Sequence, residues 1–127
     1  MPFSLIHVPG GHLRQPDCTV AVRQRDGVDY VDFRFAPALI SVLGWRRGKC
    51  VAAAADFAAR QLLLLEAERI NPDSRALQVE GGRQLRVRFP RIGAFAELIP
   101  MLEKRTPLSV VEKSPGRLVL GLRALAP

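Results

Sequence analysis

The chain has 127 residues, 48% of them hydrophobic, and a formal net charge of +7 at pH 7. This length fits one compact domain and excludes a long multidomain enzyme, and the hydrophobic content excludes a disordered chain. The positive charge is uneven, because residues 83–127 hold nine basic and three acidic residues. A polyanionic partner is therefore the first expectation, and the last third of the chain carries it.

The first residues suggest neither export nor insertion into a membrane. Residues 3–8 are predicted to form an extra N-terminal strand, and the segment lacks the basic n-region of a signal peptide. No stretch approaches the about 18 apolar residues of a transmembrane helix. Cys18 and Cys50 have no close partner, which excludes a disulfide framework. We therefore expect reduced thiols, a cytoplasmic location and no membrane partner.

A hairpin, a strand and a short helix follow in chain order. Val20 and Val22 form a short alternating segment before Asp26-Gly27, which is a strong hairpin-turn signal. The next segment, YVDFRFAP at 30–37, alternates apolar and polar residues and ends in a proline, as expected for a half-buried strand. The apolar stretch at 38–43 has helical spacing.

An internal repeat organises the chain. The strand at 30–37 resembles QLRVRFPR at 84–91 at an offset of 54, and 56–65 resembles 112–121 at an offset of 56. Leu77 and Val79 before Gly81-Gly82 repeat the hairpin signal, and an apolar stretch with helical spacing follows at 92–102. The unit is therefore strand, strand, short helix, strand, strand, and it occurs twice.

Residues 51–70 support two interpretations. Their content of Ala, Leu, Glu and Arg favours one long helix that ends at Asn71-Pro72. The matching stretch of the second copy contains Pro107 and Ser114-Pro115-Gly116, which excludes a continuous helix there. The repeat therefore predicts a hairpin that turns near 56–60, with 62–65 as a buried strand. Circular dichroism would distinguish the two interpretations.

The first copy resembles the swapped-hairpin DNA-binding element of the AbrB/SpoVT type, in FAP at 35–37 followed by LGWRRGK at 43–49. In the second copy, LRVRFPR at 85–91 and PGRLVL at 115–120 are similar to the entry strand and the closing strand of that element. Lys49 stands where the family usually has Asp, the second copy lacks the Leu-Gly turn, and the first helix has no arginine.

The resemblance implies an architecture and a function. Proteins with two such elements in one chain, as in the MraZ group, interlace the hairpins into one barrel. We therefore expect a β-rich α+β protein of one domain, 1–127, with AbrB-like halves at 19–70 and 75–124. The two ββαββ halves would form a pseudo-twofold swapped-hairpin barrel that binds DNA and regulates transcription.

Outward-facing arginines are the strongest functional signal from the residues themselves. Arg86 and Arg88 lie two residues apart on one strand face, where side chains repeat every ~6.8 Å, about the phosphate spacing of one nucleic-acid strand. Arginine donates bidentate hydrogen bonds to phosphate and guanine. A weaker set mirrors this row in the first copy, where Asp32 takes the place of Arg86 and is also expected to point outward. The predicted binding residues are Arg83, Arg86, Arg88, Arg91, Arg23, Arg25 and Arg34.

Other interpretations of the charged and reactive residues stay open. The arginine row also fits a solvated strand face that keeps the chain soluble. The alternative function is a protein-interaction module, such as a phage or accessory protein that docks on an acidic host protein with this basic face and Trp45, although packing is the expected role of Trp45. A third option is a barrel that only oligomerises. The sequence does not decide between DNA and RNA, or whether a homodimer forms.

Catalytic and metal sites are not expected. His7, His12 and Cys18 have a spacing that matches no compact ligand set. Neither Cys18 nor Cys50 has an activating neighbour in the sequence. We therefore expect no enzymatic activity, no catalytic residues, no metal and no cofactor.

Overall fold

The computed structural model describes residues 3–4, 16–68, 72, 74–80 and 84–122. Its elements in chain order are β1 (Cys18–Arg25), β2 (Val28–Phe35), α1 (Pro37–Leu43), β3 (Cys50–Asp56), β4 (Gln61–Ala67), β5 (Ser74–Ala76), β6 (Gln78–Glu80), β7 (Gln84–Pro90), α2 (Ala94–Leu98), β8 (Thr106–Pro107), β9 (Ser109–Ser114) and β10 (Arg117–Gly121). The predicted β-rich α+β class is confirmed. Of the predicted strand at 3–8, only Phe3 and Ser4 lie within the described residues, and neither is in a strand. The turn at Gly81-Gly82 lies outside them.

The strands form two antiparallel sheets of five strands each. Sheet A has the order β6-β7-β2-β1-β8, and sheet B has the order β5-β3-β4-β10-β9. Across the described ranges no strand pairing joins the two sheets. The predicted single closed barrel is therefore wrong for this part of the chain.

Two segments pass from one sheet to the other at a single residue. Leu77 separates β5 from β6; its N–H donates to the Lys49 carbonyl and its own carbonyl accepts from the Gly48 N–H, both at 2.9 Å. Leu108 separates β8 from β9, and its N–H donates to the Cys18 carbonyl at 2.9 Å. Both leucine side chains are buried. Strands that switch sheets in this way make corners between packed sheets and interrupt the pairing that a closed barrel would need.

The pairing between the two copies is symmetrical. β2 runs antiparallel to β7 with Phe33 opposite Val87, its own equivalent at the offset of 54, and the neighbours on either side are exchanged in the same way. β4 runs antiparallel to β10 with Leu63 opposite Val119, its equivalent at the offset of 56. Each central strand pair therefore has a pseudo-twofold axis through a residue and its repeat equivalent.

Residues 51–67 belong to a hairpin, so the repeat-based prediction is confirmed and the long-helix interpretation is wrong here. β3 and β4 pair along their whole lengths, from Cys50 opposite Ala67 to Asp56 opposite Gln61. At the turn, the Asp56 side chain accepts a hydrogen bond from the Ala59 N–H at 3.1 Å. The helix propensity of the alanines is overridden because the alternate residues of both strands are packed into or against the core.

The two helices are short because proline and glycine residues limit their lengths. α1 begins with Pro37, whose fixed φ suits a first helical turn, and ends at Gly44, which has a φ of +70°. Its range agrees with the predicted 38–43. α2 has five residues, fewer than the predicted 92–102, because Gly93 precedes it and Pro100 follows its last turn. No helix within the described residues has the length and apolarity needed to cross a bilayer.

An aromatic cluster fills the core between the sheets. Phe33 has no exposed surface, and its ring centroid lies 6.2 Å from that of Phe89 and 6.1 Å from that of Phe95. Phe35 packs edge-on against Trp45, with the centroids 5.5 Å apart. The predicted core positions of Phe33, Phe35 and Phe89 and the packing role of Trp45 are confirmed.

Candidate nucleic-acid interface

The outer face of sheet A, the side of β1, β2 and β7 that points away from the core, gathers most of the predicted binding residues. Alternate residues such as Phe33 and Val87 point into the core, so their neighbours project from the other side. Arg34 lies opposite Arg86 in the register of β2 on β7. Five predicted residues share this face: Arg23, Arg25, Arg34, Arg86 and Arg88.

Asp32 lies at the centre of this face but is not exposed. Its relative accessibility is 0%. Arg88 donates from Nε to Asp32 Oδ2 at 3.0 Å, and Arg105 Nη2 lies 3.3 Å from Oδ1. The prediction that Asp32 points outward is right for the side of the sheet and wrong for solvent exposure, because these two guanidinium groups cover the carboxylate. A buried carboxylate needs such partners to remain charged.

Arg105 completes this cluster from the loop before β8. Its Nη1 donates to the Asp32 backbone carbonyl at 3.1 Å and lies 3.4 Å from Thr19 Oγ1. Burial lowers the pKa of Arg105, the Asp32 carboxylate raises it, and the neighbouring Arg34 and Arg23 lower it further. Arginine nevertheless keeps its charge at neutral pH. Positive charge therefore exceeds negative charge around Asp32, and an anion in this place would be favoured.

Two open cavities lie on this face and share residues. The larger, of about 540 Å³, is lined by Arg25, Asp26, Tyr30, Arg75, Ala76, Gln78, Arg86 and Arg88. The smaller, of about 320 Å³, is lined by Arg23, Gln24, Arg25, Tyr30, Asp32, Arg34 and Arg88. Tyr30, Arg25 and Arg88 belong to both linings, so the two cavities adjoin each other. The face is therefore concave and rich in guanidinium groups, a shape and charge that suit an anionic chain.

Three guanidinium groups of the larger cavity are held in place by neighbours. Arg75 Nη1 donates to the carbonyls of Pro72 at 3.0 Å and Ser74 at 2.7 Å. Arg86 Nη2 donates to Gln78 Oε1 at 3.1 Å. Together with the bond from Arg88 to Asp32, these contacts orient the groups before any ligand arrives, which lowers the ordering cost of binding.

Arg91 does not lie on the outer face of sheet A with the other predicted residues. Arg91 follows β7 and donates from Nε to the Ile99 carbonyl at 3.1 Å and from Nη2 to the Ala96 carbonyl at 3.4 Å. It therefore caps carbonyl groups at the end of α2, where a cation is favourable. Arg83 lies outside the described residues.

Three basic residues of the loop between α1 and β3 and the two cysteines do not belong to this face. Arg46 and Arg47 are exposed in the loop before β3, and Lys49 forms an ion pair with Glu66 at 3.4 Å. Cys18 is fully buried, and burial raises the pKa of its thiol far above the ordinary range. A buried thiol that stays protonated is not a nucleophile at neutral pH. His7 and His12 lie outside the described residues.

Sequence reasoning missed Arg75, Arg105 and Gln78. Gln78 could have been found, because it precedes the second predicted turn at the spacing that places it beside Arg86. Arg75 and Arg105 carry no local signal. Arg75 belongs to a strand of sheet B, and Arg105 reaches Asp32 across 73 positions of sequence.

Comparison with known proteins found no protein family, no curated protein and no solved structure that matches this chain. The function is therefore argued from the geometry of this face.

Proposed function

We propose that the chain binds nucleic acid, as duplex DNA, through the outer face of sheet A and regulates transcription in the cytoplasm. The observation that carries the proposal is the concentration of five arginines on one concave face whose central carboxylate is covered. Arg34 lies directly opposite Arg86, so two guanidinium groups lie side by side at the centre of the face, where a row of phosphates can contact both.

The proposed mechanism is phosphate anchoring from the strand face. Same-face arginines two residues apart, Arg86 with Arg88 and Arg23 with Arg25, repeat at ~6.8 Å and can engage successive phosphates. Any base readout would come from arginine in the major groove. We propose Arg91 as a weaker contact outside this face, because its guanidinium group already donates to carbonyls at the end of α2.

We also propose that the chain is a tandem swapped-hairpin protein related to the AbrB/SpoVT type. Two findings support this: each sheet combines two strands of the first half with three strands of the second, and both central pairs are symmetrical about repeat equivalents. In this proposal the two halves take the roles that two subunits take in a homodimer of single elements.

Fluorescence anisotropy of a labelled random-sequence duplex, titrated at several salt concentrations, tests the proposed function. If four or five phosphates are contacted, log affinity falls with log salt at a slope of roughly −4. The double variant Arg86→Ala/Arg88→Ala should bind more weakly and with a slope closer to zero by about 2, with an unchanged circular dichroism spectrum.

The matched control is Arg46→Ala/Arg47→Ala, which removes the same charge from an exposed loop off the face. It should reduce affinity only slightly. An equal loss in both double variants would locate the effect in net charge rather than in this face. No binding at low salt would reject duplex DNA and favour the alternative, a basic face that docks on an acidic protein.

A further inference from the structure

The two copies differ at the larger cavity of the outer face of sheet A. The repeat places Gln84 at the position equivalent to Tyr30, and Asp32 at the position equivalent to Arg86. Of the two arginines on β7, only Arg88 has an arginine, Arg34, at the equivalent position of the first copy. The pseudo-twofold axis of β2 and β7 therefore relates Tyr30 to Gln84 and Arg86 to Asp32. An aromatic ring and an arginine in one copy thus correspond to an amide and a covered acid in the other.

This asymmetry indicates a ligand that occupies one place per chain. If a duplex shared the pseudo-twofold axis of β2 and β7, its phosphates would contact two equivalent positions on the face. The same residues would then be favoured at both positions. Tyr30 and Arg86 instead occur once, in a cavity that also receives Arg75 from sheet B. The cavity is thus built by both sheets and by residues that the repeat does not duplicate.

Five of the eight residues that line the cavity have side chains that match the parts of a nucleotide. Arg75, Arg86 and Arg88 supply oriented guanidinium groups for phosphate oxygens. Tyr30 supplies a ring against which a base can stack. Gln78 offers an amide group for polar atoms on a base edge. The volume of about 540 Å³ falls within the ~300–1,000 Å³ usual for small-ligand sites.

We propose that this cavity binds one nucleotide unit, with its phosphate on Arg75, Arg86 and Arg88 and its base against Tyr30. The unit is either a free nucleotide or one unstacked nucleotide of a strand, because both present a phosphate and a base face. The inference rests on the proposed function in the sense that it assigns a defined site within the same face.

Isothermal titration calorimetry with adenosine 5′-monophosphate, adenosine and inorganic phosphate tests the site. The nucleotide should bind at least about tenfold more tightly than adenosine or phosphate alone, since the cavity engages both of its parts. Tyr30→Leu, which keeps an apolar side chain, should weaken the nucleotide about tenfold and leave phosphate unchanged. Arg86→Ala should weaken both.

Arg46→Ala is the control, because it removes one exposed arginine outside the cavity, and it should leave nucleotide affinity within about twofold. Nucleotide binding no tighter than phosphate binding, or an equal loss in the control, would overturn the proposal. Displacement of the nucleotide by a single-stranded 10-mer would identify the site as one for a strand unit, and retention would identify it as one for a free nucleotide.

Duplex titration of the same variants separates this proposal from the proposed function. Tyr30→Leu should keep its duplex affinity, since the phosphate anchors remain. Duplex binding without nucleotide binding would reject the cavity and keep the interface. Nucleotide binding without duplex binding would keep the cavity and reject the duplex as its partner.

Discussion

The outer faces of the two sheets have the same construction and opposite chemistry. In sheet A, the central strands β2 and β7 present Arg34, Arg86 and Arg88 outward. In sheet B, the central strands β4 and β10 are related by the same kind of pseudo-twofold axis, yet they present mainly apolar side chains such as Leu63 and the 39%-exposed Leu65. The backbone pairing therefore does not determine which face is charged.

This contrast shows where the chain places its positive charge. Alternation along a strand frees every second position from packing, so the outward residues can change without disturbing the core. The chain uses this freedom to collect guanidinium groups on the outer face of sheet A, whereas the central strands of sheet B present mainly apolar side chains, with Arg117 in an ion pair with Glu112. Among the described residues, five arginines share the outer face of sheet A with one covered carboxylate, Asp32, which is the arrangement that favours a polyanion.

The largest expected effect is on the core, which both sheets cover. Phe33 is fully buried at the pseudo-twofold axis, between Phe89 and Phe95. Phe33→Ala should lower the free energy of unfolding by about 3–5 kcal/mol, because it leaves a cavity beneath both sheets. Urea denaturation measures the loss. Phe57→Ala, at a side chain that is 50% exposed, should change stability by less than about 0.5 kcal/mol.

The next largest effect is expected at the buried ion pairs of Asp32, in contrast to an exposed ion pair on the other sheet. Asp32→Asn keeps the side-chain shape but leaves Arg88 and Arg105 without their carboxylate, so unfolding free energy should fall by about 2 kcal/mol. Duplex affinity should rise, because a negative charge leaves the face. An unchanged denaturation midpoint would show that solvent already screens this cluster.

The control for this variant lies on the other sheet. Glu112 and Arg117 of sheet B form an ion pair at 3.5 Å, and both side chains are about half exposed. Glu112→Gln should cost less than about 0.5 kcal/mol. A loss as large as that of Asp32→Asn would remove the distinction between the two sheets.

Sequence pattern predicted those parts of the fold that local residues or the repeat determine. The hairpin at 51–67 was predictable only because Pro107 and Pro115 exclude a helix in the second copy, whereas the alanines alone favour one. The corners at Leu77 and Leu108 depend on hydrogen bonds to residues far along the chain, so the failure of the barrel to close had no local signal.

The candidate site was predictable to a similar extent. Alternation placed Arg86 and Arg88 on the correct face. It could not show that Arg105 would cover Asp32, since that contact depends on how the loop before β8 packs. The role of Arg91 at the end of α2 was equally hidden, because the predicted helix extended past the carbonyls that this side chain caps.

A smaller effect on stability is expected when a turn glycine is replaced by alanine, and one turn in each sheet allows the comparison. Gly27 in the β1–β2 turn and Gly116 in the β9–β10 turn have φ angles of +77° and +75°. Gly27→Ala should cost about 1 kcal/mol from the backbone conformation alone. Gly116→Ala should cost about 1.5–2 kcal/mol, because the new Cβ would lie 3.1 Å from Glu66 Cδ. Equal melting temperatures for the two variants would contradict this order.

The smallest effect is a pH dependence at the first residue of β1. Burial raises the pKa of the Cys18 thiol, Arg105 lowers it and Asp17 raises it, with burial dominant. The folded state therefore holds the thiol proton that the unfolded chain releases above about pH 8.5. The stability from this group is complete below that pH and is lost as the pH rises, by about 0.8 kcal/mol between pH 7 and pH 9.

Urea denaturation of the protein and of Cys18→Ala at these two pH values isolates this contribution. The variant is less stable at both values because it loses a buried side chain, but that loss does not depend on pH and cancels in the comparison. The variant should therefore lose about 0.8 kcal/mol less than the unsubstituted protein on going to pH 9. Parallel losses would mean that the Cys18 thiol reaches solvent, and that β1 opens at the end where it meets β8 and the Arg105 loop.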